Sequence, residues 1–178
     1  IYFAKTKKNN VYAFEPSFFN LSLLAKNIHK NNVHEKINII TNPLTNYKKF
    51  ADFNLTNIDE GGALSAFGVN FNQDGKELEK LLSYKTLGLP LDFLLTEKIL
   101  PEVPKMIKID VDGIEHLILL GARKTLKDSK CKTVLIEINE KFKEQASESE
   151  KILTECGFSL KEKYHAVEET YNQIWFKD

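Results

Sequence analysis

The sequence predicts an α/β fold: a doubly wound, mostly parallel sheet that ends in an antiparallel hairpin. Short apolar segments typical of buried strands alternate with segments whose apolar residues recur at helical spacing. Near the start, a strand, a helix and a second strand follow within about thirty residues, as in the βαβ unit of a parallel sheet. Near the end, residues 158–164 and 173–176 are two apolar strands too close for a helical crossover. That last pair must therefore run antiparallel.

The first elements are defined by clear boundary signals. Residues 1–8 end in lysines, which suit the carboxyl end of a helix. The apolar segments Val11–Phe14 and Ile37–Ile40 are typical of buried strands. Between them, Ser17 is a good N-cap for a helix that reaches about Asn31.

The periodicity loosens between residues 44 and 86. Residues 50–55 approach the alternation of an exposed antiparallel strand, and residues 63–69 are its predicted partner. Residues 81–87 are a further predicted strand. We interpret 44–86 as an insertion near the ligand edge of the sheet, where it covers the site.

The second half returns to alternating helices and strands. Residues 106–109 form a strand, 133–138 another, and Gly157 stops the helix after it. The predicted helices of this half span residues 90–95, 117–126 and 142–156.

Composition narrows the class of protein. The 178 residues suit a single domain, and the net charge of +0 argues against a nucleic-acid binder. Two cysteines, Cys131 and Cys156, are too few for a disulfide framework, which favours a reducing compartment such as the cytoplasm. No apolar run reaches the roughly 18 residues of a membrane span. The chain starts at Ile1 in mid-pattern, so we expect a piece of a longer protein. Its oligomeric state is left open.

Polar side chains end four of the predicted strands. These are Glu15, Asn42, Asp110 and the acids of residues 137–140. In an open α/β sheet, ligands bind at the carboxyl ends of the strands, so these groups should converge on one site.

Two of these strand ends suit a nucleotide. A carboxylate such as Glu15 can accept hydrogen bonds from both ribose hydroxyls. It is equally an acid beside the start of the Ser17 helix. Asn42 offers a donor and an acceptor to an adenine edge, or is simply a turn residue before Pro43.

The acids after the predicted strand at residues 106–109 are of types that can take part in catalysis. Asp110 and Asp112 could serve as general base, metal ligand or nucleophile, or could merely cap a helix and face water. With Glu115 they could approach a hard cation, but the spacing fits no full cage, so we expect no metal. His116 is either a base near neutral pH or a surface histidine in the first turn of a helix.

Four short motifs in this order resemble the FkbM family of S-adenosylmethionine-dependent methyltransferases: V-Y-A-F-E-P-S, G-G-A-L-S-A-F-G, K-I-D-V-D-G-I-E and L-I-E-I-N-E. The resemblance implies a Rossmann-like seven-strand sheet and methyl transfer to a hydroxyl of a saccharide or natural product. The acceptor would then be a glycan or a small molecule. By the same resemblance, Glu15 holds the cofactor's ribose and Asn42 approaches its adenine. Asp110 then lies beside the methionine portion and the acceptor.

The chain departs from the family in two places. The first strand and the glycine-rich loop of the family precede the helix at residues 1–8, so we expect both to be missing here. Asp112 stands where the family often has Glu. A hydroxyl acceptor must lose its proton, and we rank Asp110 first as its base, before Asp112 and His116.

Two other functions fit parts of the sequence. A strand followed by D-x-D-G resembles the nucleophile motif of haloacid-dehalogenase-like phosphatases, although Ile114 stands where Thr or Val is usual. In that case Asp110 would attack phosphate and Asp112 would be the acid and base, with magnesium. The missing glycine-rich loop favours instead a non-catalytic binding module on the same scaffold.

Overall fold

The computed structural model describes residues 1–7 and 9–178 and shows a mixed α/β fold. It begins with helix α1 (Tyr2–Thr6), shorter than the helix predicted over residues 1–8. Lys8, which we placed at the end of that helix, lies outside the described residues.

The predicted βαβ unit is confirmed. Strands β1 (Val11–Phe14) and β2 (Ile37–Ile40) pair in parallel, and helix α2 (Phe18–Lys30) connects them. Ser17 is the N-cap, and its hydroxyl oxygen accepts from the Asn20 amide at 3.5 Å. Ile28 of α2 is buried in a small apolar cluster with residues of α1 and β2.

The middle of the chain forms an antiparallel sheet of its own. Strand β3 (Lys49–Leu55) lies between β4 (Ala66–Phe67) and β5 (Leu82–Gly88). Side chains of β3 such as Phe53 are buried, whereas Asp52 beside it is exposed, which is the alternation that predicted the strand. The predicted partner 63–69 is present, but only two of its residues pair as a strand.

The third sheet has the order β6-β7-β9-β8. Its strands are β6 (Met106–Ile109), β7 (Thr133–Asn139), β8 (Ser159–Val167) and β9 (Thr170–Phe176). β6 and β7 are parallel, and β8 and β9 form the predicted antiparallel hairpin. The helices of this half are α3 (Leu91–Thr96), α4 (Glu115–Leu120), α5 (Arg123–Lys127) and α6 (Lys143–Glu155).

The predicted helix 117–126 is two short helices, α4 and α5. They separate at Gly121, whose backbone lies so close to Thr45 that a Cβ there would be 2.0 Å from the Thr45 carbonyl oxygen. A contact with a distant part of the chain thus divides a segment that is continuous in its apolar pattern.

One continuous seven-strand sheet is not observed in the described part of the chain. The hydrogen-bonded strands fall into three small sheets instead. The physical reason is that β1 pairs with β2 and β6 pairs with β7, but no described strand links these two parallel pairs.

A large apolar core joins the second and third sheets. Its most deeply buried members include Leu94, Leu119, Leu126 and Ile136, each 0% exposed. Both cysteines are buried free thiols, and burial raises the pKa of Cys131 to about 11. Across the described residues, no helix combines the length and apolar character that crossing a membrane requires.

Candidate functional site

Three carboxylates meet where β6 and β7 end. Asp110 directly follows β6, Asp112 lies two residues further on, and Glu137 is in β7. Burial raises the pKa of Glu137, and the negative charges of Asp110 and Asp112 raise it further. Lys108 Nζ lies 2.5 Å from Asp110 Oδ2 and balances part of this charge. The structure therefore brings the two predicted acids together and adds a third.

Glu137 had no assigned role in the sequence interpretation beyond its place at a strand end. The signal that identifies it is the register of the parallel pair, in which Ile109 lies opposite Ile136. The next residues of the two strands, Asp110 and Glu137, are then neighbours. Register depends on how two distant segments pair, so the sequence pattern alone did not provide it.

Asp112 is held by the middle segment of the chain. The Ser65 amide donates to Asp112 Oδ2 at 3.0 Å. Burial raises the pKa of Asp112, the amides of Ser65 and Leu64 oppose the rise, and the charge of Asp110 adds to it. Leu64 has φ +64°, a conformation that is rare for a bulky side chain and is found where contacts enforce it.

Residues 72–75 contact the end of strand β7. Asn139 Nδ2 donates to the Gln73 carbonyl at 3.0 Å and to Asp74 Oδ1 at 2.8 Å. Gly113 has φ +108°, and a Cβ there would be 2.9 Å from the Asn72 carbonyl oxygen. Only glycine allows the acidic turn and this segment to approach so closely.

Glu15 lies at the end of β1 and is half-buried. The Ser17 amide donates to Glu15 Oε1 at 2.9 Å, so the carboxylate does sit at the start of α2. Burial raises the pKa of Glu15, while the Ser17 and Asn20 hydrogen bonds oppose the rise. The Tyr84 hydroxyl donates to the Pro16 carbonyl beside it, and burial and the charge of Glu15 raise the pKa of Tyr84 to about 12.

Asn42 connects β2 to the middle sheet. Its Nδ2 donates to the Leu87 carbonyl at 2.8 Å. One of its two amide hydrogens is thus engaged, and the other hydrogen and the carbonyl oxygen of Asn42 are left for a contact with adenine.

His116 faces helix α6 and not the carboxylates of Asp110, Asp112 and Glu137. It is 5% exposed, so the expectation of a surface histidine is wrong. Its ring meets Phe142 edge-on, with centroids 6.2 Å apart, and the charges that act on it come from Glu144 and Glu148 of α6. Burial lowers the pKa of His116. The first turn of α4 points this side chain at α6 because the other side of the helix covers the sheet.

A known protein family matches most of the chain. The model of the family described as methyltransferase FkbM domain matches residues 1–160. The chain belongs to the FkbM methyltransferase family. The FkbM resemblance seen in the sequence motifs is therefore confirmed. The match also supports it over the phosphatase alternative.

A solved FkbM structure has a similar fold. The crystal structure of methyltransferase FkbM from Methylobacillus flagellatus KT is 16% identical, with a TM-score of 0.59. The likeness covers 94% of this chain and 36% of that one, so the chain spans about a third of the other protein's length. No curated protein matches the chain.

The segment between β2 and α3 contacts several strand ends of this FkbM domain. The preceding contacts join it to the strand ends at Asp112, Asn139 and Asn42. It also meets α2, where the Asn20 side chain bonds both Gly61 and Gly62. In the described part of the chain, no three His, Cys, Asp or Glu side chains are placed to hold a metal ion jointly.

Proposed function

We propose that this FkbM domain transfers a methyl group from S-adenosylmethionine to a hydroxyl of a saccharide or natural product. The observation that supports it is the carboxylate cluster of Asp110, Asp112 and Glu137 at the strand ends, with burial raising the pKa of the last two. A partly buried carboxylate with a raised pKa is suited to accept a proton near neutral pH.

The residues present fit the cofactor. Its ammonium and sulfonium groups are cationic, and carboxylates directly follow β1 at Glu15 and β6 at Asp110. Glu15 would accept from the ribose hydroxyls, and Asn42 would offer its carbonyl oxygen to the adenine. Asp110 would lie beside the methionine portion. When bound, S-adenosylmethionine supplies an activated methyl group with a good leaving group, so alignment is the protein's main task.

We propose different roles for Asp110 and Asp112. Asp110 was the first candidate for the base, but its carboxylate is 45% exposed and is bonded to Lys108. Asp112 is more enclosed, and burial raises its pKa toward the range useful for a base. We therefore assign the acceptor proton to Asp112 and orientation of the acceptor to Asp110. The base role of His116 is disfavoured, because its ring faces α6.

We further propose that residues 44–86 act as an insertion that closes over the acceptor, and that the complete protein adds a parallel strand between β1 and β6. Support for the strand comes from the partners these two strands have, since each pairs on one side among the described residues. The four apolar residues of β1 are only half-buried, although strands inside a parallel sheet are normally buried on both faces.

The test uses the full-length protein and the variants Asp112→Asn and Asp110→Asn. Calorimetry with S-adenosylhomocysteine reports cofactor binding, and a methyl-transfer assay against a panel of saccharides and hydroxylated natural products reports turnover. Loss of a general base should lower kcat by about a hundredfold in Asp112→Asn with little change in cofactor affinity. The control Glu162→Gln, at an exposed position of the hairpin strand β8, should match the wild type.

Unchanged turnover in both site variants would contradict the assignment. Cofactor binding by the wild-type protein without transfer to any acceptor would point to the non-catalytic binding module.

A further inference from the structure

A second group of polar side chains is buried beneath the acidic turn, between helices α4 and α6. We call it the α4–α6 polar cluster, and it consists of Glu115, His116, Gln145 and Ser149. Their exposed fractions are 2%, 5%, 1% and 0%. Polar groups this deeply buried are normally fully hydrogen-bonded, so their partners indicate which protonation states the cluster holds.

Glu115 connects the acidic turn to α6. Gln145 Nε2 lies 2.7 Å from Glu115 Oε2. On the other side, the Gly113 amide donates to Glu115 Oε1 at 3.5 Å, the long limit for such a bond. Gly113 directly follows Asp112, so one carboxyl group contacts both the candidate site and a helix behind it.

The charges around Glu115 oppose its ionisation. Asp112 in the turn is negative, and its charge acts on Glu115 unfavourably. His116 on the same helix is buried, which favours its neutral form, and it faces Glu144 and Glu148 of α6. An ionised carboxylate is costly to bury without a cation beside it.

The unpaired atoms of the cluster are compatible with a neutral acid. His116 Nδ1, Gln145 Oε1 and Ser149 Oγ are buried without a hydrogen-bond partner. The nitrogen and oxygen of a side-chain amide exchange places when the amide turns over. A protonated Glu115 can then donate to Gln145 Oε1 across the same 2.7 Å contact. Donation from Gln145 Nε2 to Glu115 Oε2 is open to either protonation state, so the deep burial of Glu115 beside Asp112 is what favours the neutral acid.

We propose that Glu115 is a positioning residue that acts as a neutral carboxylic acid, and that its hydrogen bonds to Gln145 and Gly113 hold the acidic turn against α6. Consistent with this, burial raises the pKa of Glu115 to about 8, with the Gln145 hydrogen bond opposing the rise. Ionisation of Glu115 places a second negative charge beside Asp112 in a buried site, and this repulsion loosens the turn that places Asp112. The kinetic consequence rests on the proposed methyltransferase function, whereas the stability consequence does not.

The first test follows urea unfolding of the full-length protein from acid pH to above pH 8. The folded pKa, about 8, lies above the ordinary Glu value of 4.5, so the stabilising contribution of this proton is complete only at acid pH. It is lost progressively as the pH rises from 4.5 to about 8. Wild-type stability should therefore fall over this window, and Glu115→Gln, a neutral mimic of the acid, should fall less. The control Glu150→Gln, on the exposed face of α6, should retain the wild-type slope. An identical slope in wild type and Glu115→Gln would overturn the proposal.

The second test is kinetic. Glu115→Ala should lower kcat by about tenfold with little change in the KM for the cofactor, because the turn is misplaced and the cofactor edge is not. Glu115→Gln should restore most of this loss and remain active above pH 8, where wild-type turnover declines. If Glu115→Ala does not fold, the pH dependence of turnover in Glu115→Gln tests the positioning role by itself. A Glu115→Gln profile that declines like the wild type would refute the positioning role. A protein that transfers no methyl group but shows the altered stability slope would refute the proposed function and leave this inference standing.

Discussion

We expect the contact between β7 and residues 72–75 to contribute measurably to the free energy of unfolding. Asn139 donates to the Gln73 carbonyl and to Asp74 Oδ1, and its own Oδ1 accepts from the Lys141 amide at 3.0 Å. The change Asn139→Ala removes all three hydrogen bonds and leaves the backbone path of β7 unaltered.

The expected loss follows from the number and exposure of these bonds. Each contributes about 1 kcal/mol net, which gives about 3 kcal/mol for the three. Gln73 and Asp74 are half-buried, so water can replace part of what they lose. We expect the free energy of unfolding to fall by about 2 to 3 kcal/mol. The amides of residues 72–75 should also exchange with solvent faster than in the wild type.

Urea unfolding and hydrogen exchange measure the two effects. Asn38→Ala is the matched control, because Asn38 is an exposed asparagine of β2. A loss below about 0.5 kcal/mol in Asn139→Ala, the range of ordinary surface substitutions, would refute the idea that Asn139 anchors the segment.

Two further substitutions test the acidic turn. Gly113→Ala should cost at least about 1 kcal/mol more than Gly157→Ala in thermal unfolding, since both positions have positive φ but only Gly113 closely approaches the Asn72 carbonyl. Equal costs would mean that this approach is not rigid. Lys108→Met should cost less than about 1 kcal/mol, because the ion pair with Asp110 is half-exposed. A loss above about 2 kcal/mol in urea unfolding would show that the pair is structurally essential.

The sequence correctly predicted the helices and strands whose boundaries depend on residues close together in the chain. β1 and β2 were found at their full lengths because each is a short, mostly apolar segment with polar residues on both sides. Ser17 predicted the start of α2 because a hydroxyl before a helical apolar pattern can accept from the first free amides. The final hairpin followed from a distance argument, since the loop is too short for a crossover.

The errors concern contacts between distant segments. His116 was expected at the surface because the pattern of α4 does not reveal that α6 covers it. The neighbourhood of Glu137 and Asp110 depends on strand register, which no single segment specifies. The division into three sheets likewise depends on which strands find partners.

The sequence predicted where the candidate site lies, but it did not predict which contacts the side chains of the site make. Strand ends indicated where Glu15 and Asp110 would lie, because the carboxyl edge of an α/β sheet is where ligands bind. The contact of Asp112 with the Ser65 amide was not predictable, since 47 residues separate the two in sequence. The unusual environment of Glu115 was missed for the same reason, because Gln145 belongs to another helix.

The most direct test of the central claim is calorimetric titration of the full-length protein with S-adenosylhomocysteine. The wild type should bind, and Glu15→Ala should bind at least about tenfold more weakly, because charge-assisted hydrogen bonds to the ribose hydroxyls are lost. Glu35→Ala, which removes an exposed acid in the loop before β2, should bind as the wild type does. Equal affinity of Glu15→Ala and the wild type, or no binding by the wild type, would contradict a cofactor site at this edge.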